Sequence, residues 1–290
     1  MKHTCQVALI VSLTFGTVAF AEQPDAKALI LKSIENYDRD WRGAMHWGYL
    51  QKDVTHNGDT TTVEISEVIP LAGTPYERLT GKDGKPLSEE EKRKEDEKYQ
   101  KALRERQNET PAQRQARIRK YENERSFLKD LPNAYDYTMI GEDVVDGRPA
   151  WVVGLKPRPD FVPTTSHGSM LKHIEGKLWI DKAEVHWAKA EAHVIDTISI
   201  GWIVARIGPG AKISLDMARV TEGLWMPKRI DINGTAKVLM VHNKALNEEL
   251  TFSGFRKGEP VQQAATNSEP SHTVSLGQSF RPTGNSSSSR

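Results

Sequence analysis

Apolar positions along this chain change period twice. Between residues 24 and 38, Ala26, Leu29, Ile30, Ser33, Ile34 and Tyr37 recur at helical spacing while Lys27, Lys32 and Glu35 fall elsewhere, which predicts one amphipathic helix. Strand-like sequence follows at 43–54 and 60–70, joined at Asn57-Gly58, a pair that supplies the positive φ angles of a tight hairpin. A further extended stretch, Tyr76 to Thr80, ends at Asp83-Gly84. From Tyr135 onward the spacing suits a strand meander: 135–142 and 149–157 flank Asp146-Gly147, then come 173–181, 187–207 as two strands or one bent strand, and 212–220. The series continues through 226–233, a turn expected at Asn233-Gly234, then 236–243 and 248–255. Turn signals every ten or so residues predict one antiparallel sheet curling on itself.

Period-two alternation assigns an inward face. Trp151, Val153 and Leu155 share it, as do Leu178 with Ile180, and Ile198 with Ile200, Trp202 and Val204. So do Ile213, Leu215 and Met217, and Ile230 with Ile232. A face this apolar needs a cover, which helices, a second sheet or a ligand could supply.

Between Ser88 and Lys129 the composition turns to dense mixed charge. Ser88 with Glu91 and Thr110 with Gln113 fit capping boxes, and Pro111 suits a first helical position, so helices are expected near 89–107 and 111–129. Alternating signs predict an exposed helical arm, with Ile118, Tyr121 and Leu128 as one narrow packing stripe. Beyond Gly258 the chain turns to Gln, Ser, Pro, Thr and Asn and offers little to bury, so a disordered tail is expected over 257–290.

The first residues change the setting. Lys2, the apolar run from Val7 to Phe20 and the small residues Ala19 and Ala21 fit a secretory signal peptide over 1–21, cleaved after Ala21. A membrane anchor is the competing reading, but the run is short of the roughly 20 residues a span needs, and Ser12, Thr14, Gly16 and Thr17 interrupt it. Cleavage would remove the one cysteine, Cys5, which precedes the apolar run and so cannot carry a lipid anchor; no disulfide or thiolate chemistry would remain. Removing 21 of 290 residues leaves 269, and the 40 basic residues lose only Lys2 against 39 acids. A charge balance of this kind gives no global field for nucleic acid or an anionic membrane.

No His-Glu-x-x-His, Gly-x-Ser-x-Gly, phosphate-binding glycine loop or dinucleotide fingerprint is present. His167, His173, His186 and His193 match no zinc spacing, and an odd separation such as 186 to 193 sends strand side chains to opposite faces, so surface or loop histidines are expected. Glu142, Asp143 and Asp146 are read as turn-forming acids, and Trp179, Trp187, Trp202 and Trp225 as core or barrel-rim residues.

The run from Ile140 to Trp151, Gly176-Lys177-Leu178-Trp179-Ile180-Asp181 and Gly223-Leu224-Trp225-Met226-Pro227 resemble the bacterial outer-membrane lipoprotein-sorting proteins, the superfamily of LolA, LolB and RseB. The resemblance covers roughly residues 24–256. It implies an α+β fold: an unclosed antiparallel β-barrel, a strongly curved sheet whose concave face is covered by helices. In domain terms it implies a single half-barrel over 22–256 with the charged insertion at 88–130. It further implies a periplasmic, non-enzymatic carrier or sensor without cofactor or metal, taking acyl chains of lipoproteins or other amphiphiles on the apolar face. The candidate ligand-binding residues are then Trp151, Val153, Leu155, Leu178, Ile180, Ile198, Ile200, Trp202, Val204, Ile213, Leu215, Met217, Ile230 and Ile232. An alternative is a non-catalytic envelope protein-interaction module that uses the charged arm to hold a protein partner.

Overall fold

The computed structural model describes residues 23–200, 205–238 and 242–258. The expected signal peptide and all but the start of the polar tail lie outside these residues, as do Trp202 and Val204. Helix α1 (Ala26–Ala44) opens the described chain, capped by Asp25, whose carboxylate accepts from the Ala28 amide. Strands β1 (Trp47–Asn57), β2 (Thr60–Leu71), β3 (Thr74–Lys82) and β4 (Lys85–Pro86) follow; the first hairpin forms as expected, but its loop is Gly58-Asp59, with Gly58 at φ 60 and Asn57 still in the strand opposite Thr60. Helices α2 (Glu89–Gln107), α3 (Pro111–Asn123) and the short α4 (Leu131–Ala134) lead to β5 (Tyr135–Val145) and β6 (Arg148–Pro157). The remainder is β7 (Ile174–Asp181), β8 (Trp187–Val194), β9 (Ile198–Ile200), β10 (Ala205–Ile207), β11 (Lys212–Thr221), β12 (Leu224–Val238) and β13 (His242–Lys257).

These strands form one sheet, eleven of them in the order β4-β3-β2-β1-β13-β12-β11-β8-β7-β6-β5, with the β9–β10 hairpin attached to the far end of β12. Neighbours run antiparallel, and the end strands β4 and β5 do not pair, so the barrel is unclosed. Register shifts at Gly48/Leu50, Trp179/Ile180, Asp216/Met217 and Met139/Gly141 place an extra residue on one strand, which increases local twist and curls the sheet.

The turn expected at Asn233-Gly234 is absent. Strand β12 passes straight through it, pairing Asn233 with Asn247 and Gly234 with Leu246. The glycine serves another need, because a Cβ on Gly234 would lie 2.5 Å from the Ala211 Cβ and 2.9 Å from its Cα. Glycine inside a strand here marks a close backbone approach.

The charged arm is exposed as expected, with no buried residue in α2 or α3, and two of its arginines also fasten it to the sheet. Arg106 donates to the carbonyls of Leu71 and Thr74 at 2.7 and 3.0 Å, and Arg117 donates to the Ala72 carbonyl at 3.0 Å while forking onto Glu109. Two guanidinium groups thus satisfy the carbonyls of the β2–β3 turn. Both capping boxes form, but α3 stops at Asn123 and a 3-10 turn over Ser126–Lys129 follows, because Leu128 and Leu131 bury in the core and Pro132 cannot extend a helix. The narrow stripe is present: Ile118 lies against Gly73, Tyr121 stacks on Trp41 at 4.8 Å, and Leu128 is buried.

Helix α1 is the main cover of the sheet. Its buried stripe is Leu29, Ile30, Ser33, Asn36, Tyr37 and Asp40, so half of what faces the sheet is polar. Each polar residue has a partner there, though Asp40 Oδ1 has none among the described residues. The Trp187 indole donates to Ser33 Oγ at 2.9 Å; Asn36 Nδ2 donates to the Glu184 and Val185 carbonyls at 3.2 and 2.9 Å; Asp40 pairs with His186. Tyr37 stacks on Trp187 with ring centroids 3.9 Å apart. Both Asp40 and His186 are 2 % exposed, so His186 sits in a loop, one of the two expected settings, but is buried there and not at the surface. Burying a polar group without a partner costs several kcal/mol, so these contacts fix one docking position for the helix.

Two variants test this arrangement. Gly234→Ala destabilises by about 1–3 kcal/mol through overpacking, and adding Ala211→Gly restores only part of the loss, because the Ala211 Cα remains 2.9 Å away; denaturant unfolding measures both. Asp40→Ala, which leaves a buried polar group unsatisfied, lowers unfolding stability by about 1–3 kcal/mol.

Candidate ligand-binding face

The pairing register shows which side chains share the concave face. Directly opposed residues on antiparallel strands lie on the same side, so pairs can be followed from strand to strand. One row runs Met139, Val153, Leu178, Ala190, Leu215, Ile230, Leu250, Asp53 and Glu64. The next runs Tyr137, Leu155, Gly176, Ala192, Ile213, Ile232, Glu248, Thr55 and Thr62. Both rows are apolar from β5 to β12 and turn polar by β1, so the apolar stripe has a defined margin.

Burial divides that stripe. Val153, Leu178, Ile180 and Met217 are 0–4 % exposed and belong to the core beneath α1, together with Leu29, Ile30, Trp187 and Trp225. Trp151, Leu155 and Leu215 are partly exposed and pack against the margin of that core. Ile198 is buried in a separate cluster with Val194 and Ala211, under Met170. Ile200 ends β9, and Trp202 and Val204 lie outside the described residues. Ile213, Ile230 and Ile232 stay partly exposed, as do Ala192 and Leu250. Ten of the fourteen sequence candidates therefore divide in two: Trp151, Val153, Leu155, Leu178, Ile180, Leu215 and Met217 belong to a closed half at or beside the core under α1, and Ile213, Ile230 and Ile232 to an open half on β11 and β12.

The open half ends at carboxylates. Glu248 stands opposite Ile232, and Asp53 stands opposite Leu250. Burial pushes the Glu248 carboxyl above its ordinary value, and the negative charge of Asp53 adds to the shift. Neither residue carried a signal in the sequence, since Glu248 lies in an Asn-Glu-Glu run that looks solvated.

The remaining candidates resolve into structure. Trp179, Trp187 and Trp225 are buried, with Trp179 on the convex side against Ala150 and Val152. Its indole donates to Asp143 at 2.9 Å, Lys228 pairs with Asp146 at 2.8 Å, and Glu142 pairs with Lys182. Asp146 takes φ 48 in the β5–β6 turn, the role expected of it. His193 pairs with Glu175 at 2.7 Å, His173 lies 3.5 Å from Asp196, and among the described residues no group of His, Cys, Asp and Glu has metal-site geometry. No helix of the described residues is long and apolar enough to cross a membrane.

Sequence reasoning missed Asn36, Asp40 and His186, which fasten the cover. The signal was available only in part: Asn36 and Asp40 lie at helical spacing from Ser33 and Tyr37, on the stripe that amphipathicity assigns inward.

The raised Glu248 carboxyl has a stability consequence. The folded chain holds this proton more tightly than the unfolded chain, so folding loses stability as pH rises through the carboxylate range. Glu248→Gln therefore raises the thermal midpoint at pH 7, and the gain shrinks toward zero as the medium is acidified below the ordinary glutamate value of 4.5.

A scan against family models gives no match, and a search of curated proteins gives none. Among solved structures the chain is similar to a LolA superfamily protein from Nitrosomonas europaea, at 10% identity over 82% of this chain and 96% of that one, with a TM-score of 0.32. It is similar to an outer membrane lipoprotein-sorting protein domain from Vibrio parahaemolyticus, at 10% identity over 81% and 95%, TM-score 0.33. A third is the MucA/MucB complex of Pseudomonas aeruginosa, at 11% identity over 79% and 100%, TM-score 0.23.

Proposed function

We propose that this chain is a non-catalytic carrier or sensor of the bacterial envelope, exported to the periplasm, that takes acyl chains of a lipoprotein or another amphiphile on the open half of its concave face. One observation carries the reading: a cross-strand row of partly exposed apolar residues, Leu155, Ala192, Ile213 and Ile232, beside a helix that covers only the neighbouring residues. Each methylene removed from water contributes about 0.8 kcal/mol, so an acyl chain needs no directional contact to bind there. Residues 22–256 act as one binding domain on this reading, and the arm at 88–130 braces the β2–β3 turn.

A second reading is favoured by α2, whose nineteen residues include none that is buried. An envelope protein could dock on that helix while the sheet carries no guest. Reversing the acidic first turn of α2, Glu89, Glu90 and Glu91 to lysine, leaves acyl binding unchanged on the first reading, because α2 packs on β3 and not over the concave face.

Binding of a dansyl-labelled fatty acid and of a triacylated lipopeptide tests the proposal. Ile230→Glu and Ile232→Glu, which place carboxylates on the open half, weaken both ligands by roughly tenfold or more. A chain that binds neither ligand, or whose affinity is indifferent to both substitutions, contradicts it.

A further inference from the structure

A second cleft opens away from the concave face, between the solvent side of α1 and the segment that joins α3 to α4. Its volume is about 670 Å³, within the roughly 300–1,000 Å³ typical of small-molecule sites. Leu31, Ile34, Trp41, Leu128 and Pro132 supply its apolar wall, and Leu31 is 40 % exposed although it lies one residue from the buried Ile30. Leu31 is the open part of this wall, Ile34 and Trp41 are half-buried, and the buried Leu128 lies at its floor.

Charge at the cleft is unevenly satisfied. Its acids are engaged: Glu35 holds Lys32 at 3.1 Å, and Asp38 and Glu122 hold Arg42 at 3.0 and 2.7 Å. Arg119, Arg125 and Lys129 also line it, and none of them forms an ion pair among the described residues. Arg125 is set in advance. Its guanidinium lies 4.7 Å from the Tyr37 ring centre and 5.2 Å from that of Trp41, one Nη donates to the Tyr37 hydroxyl, and its buried Nε has no partner among the described residues. A guanidinium held between two rings loses little freedom when it meets an anion, and its fork matches a carboxylate.

We propose that this cleft binds a single-chain anionic amphiphile, with its carboxylate on Arg125, Arg119 and Lys129 and its chain along Leu31, Ile34 and Leu128. The apolar wall selects the tail, and the three unpaired cations select the head. The site is separate from the concave face, and its existence does not depend on the function proposed for that face.

Calorimetric titration of dodecanoate into the full chain carrying Ile230→Glu reads mainly the cleft, because that substitution weakens the open half of the sheet by roughly tenfold or more. Dodecanoate still binds. Adding Arg119→Glu and Lys129→Glu, both at exposed positions, weakens it by about tenfold or more. Dodecyltrimethylammonium, with the same tail and a cationic head, and acetate, with the same head and no tail, do not bind. Unchanged dodecanoate affinity in the charge-reversed chain overturns the assignment, as does equal affinity for the cationic amphiphile or for acetate. Failure of the concave-face reading shows up separately, as dodecanoate binding to the unsubstituted chain that is indifferent to Ile230→Glu.

Discussion

An α-helix with its side chains is about 10–12 Å across, whereas a strand rises about 3.3 Å per residue and runs well past that width. Helix α1 lies across the strands, touching both β5 and β12, so it covers one end of the apolar face and leaves the other end beside it. This mismatch between helix width and strand length shapes the molecule. Helix α1 seals the strands around Val153, Leu178, Ile180 and Met217, the β9–β10 end is sealed by its own small cluster around Ile198, and between them Ile213, Ile230 and Ile232 remain partly exposed. Curvature from the bulges turns that uncovered strip into the floor of a concavity.

The cover holds its place through polar contacts that an oily interface alone would not supply. Hydrophobic contact is non-directional and would tolerate sliding. Ser33, Asn36 and Asp40 each meet a specific partner on the turn and strand at 184–187, so a shift of one helical turn would strand all three. These contacts set the boundary between closed core and open strip in this arrangement.

Much of this was legible in the sequence, for physical reasons that can be named. Gly58 and Asp146-Gly147 turned hairpins because their φ angles demand it, and the two capping boxes began α2 and α3 where Ser88 and Thr110 stand. Period-two alternation placed Trp151 opposite Ile180 and Ile213 opposite Ile232 on one face. What could not be read was long-range. Gly234 has the composition of a turn and the environment of a crowded strand, and only the approach of Ala211 distinguishes the two. His186 finds Asp40 across 146 residues, and Arg106 and Arg117 find carbonyls of a turn some 30 to 45 residues earlier. Alternation gives the side of a sheet, but not which part of that side a helix will occupy.

The central claim is that the strip around Ile213 is empty floor available to a guest. From Glu22 onward the chain has no cysteine, so Ile213→Cys can carry one environment-sensitive dye. Emission of that dye should shift on adding a triacylated lipopeptide, with no shift from the same dye at Val153→Cys in the sealed half. Silence at position 213 under saturating lipopeptide, or an equal response at both positions, would contradict the account.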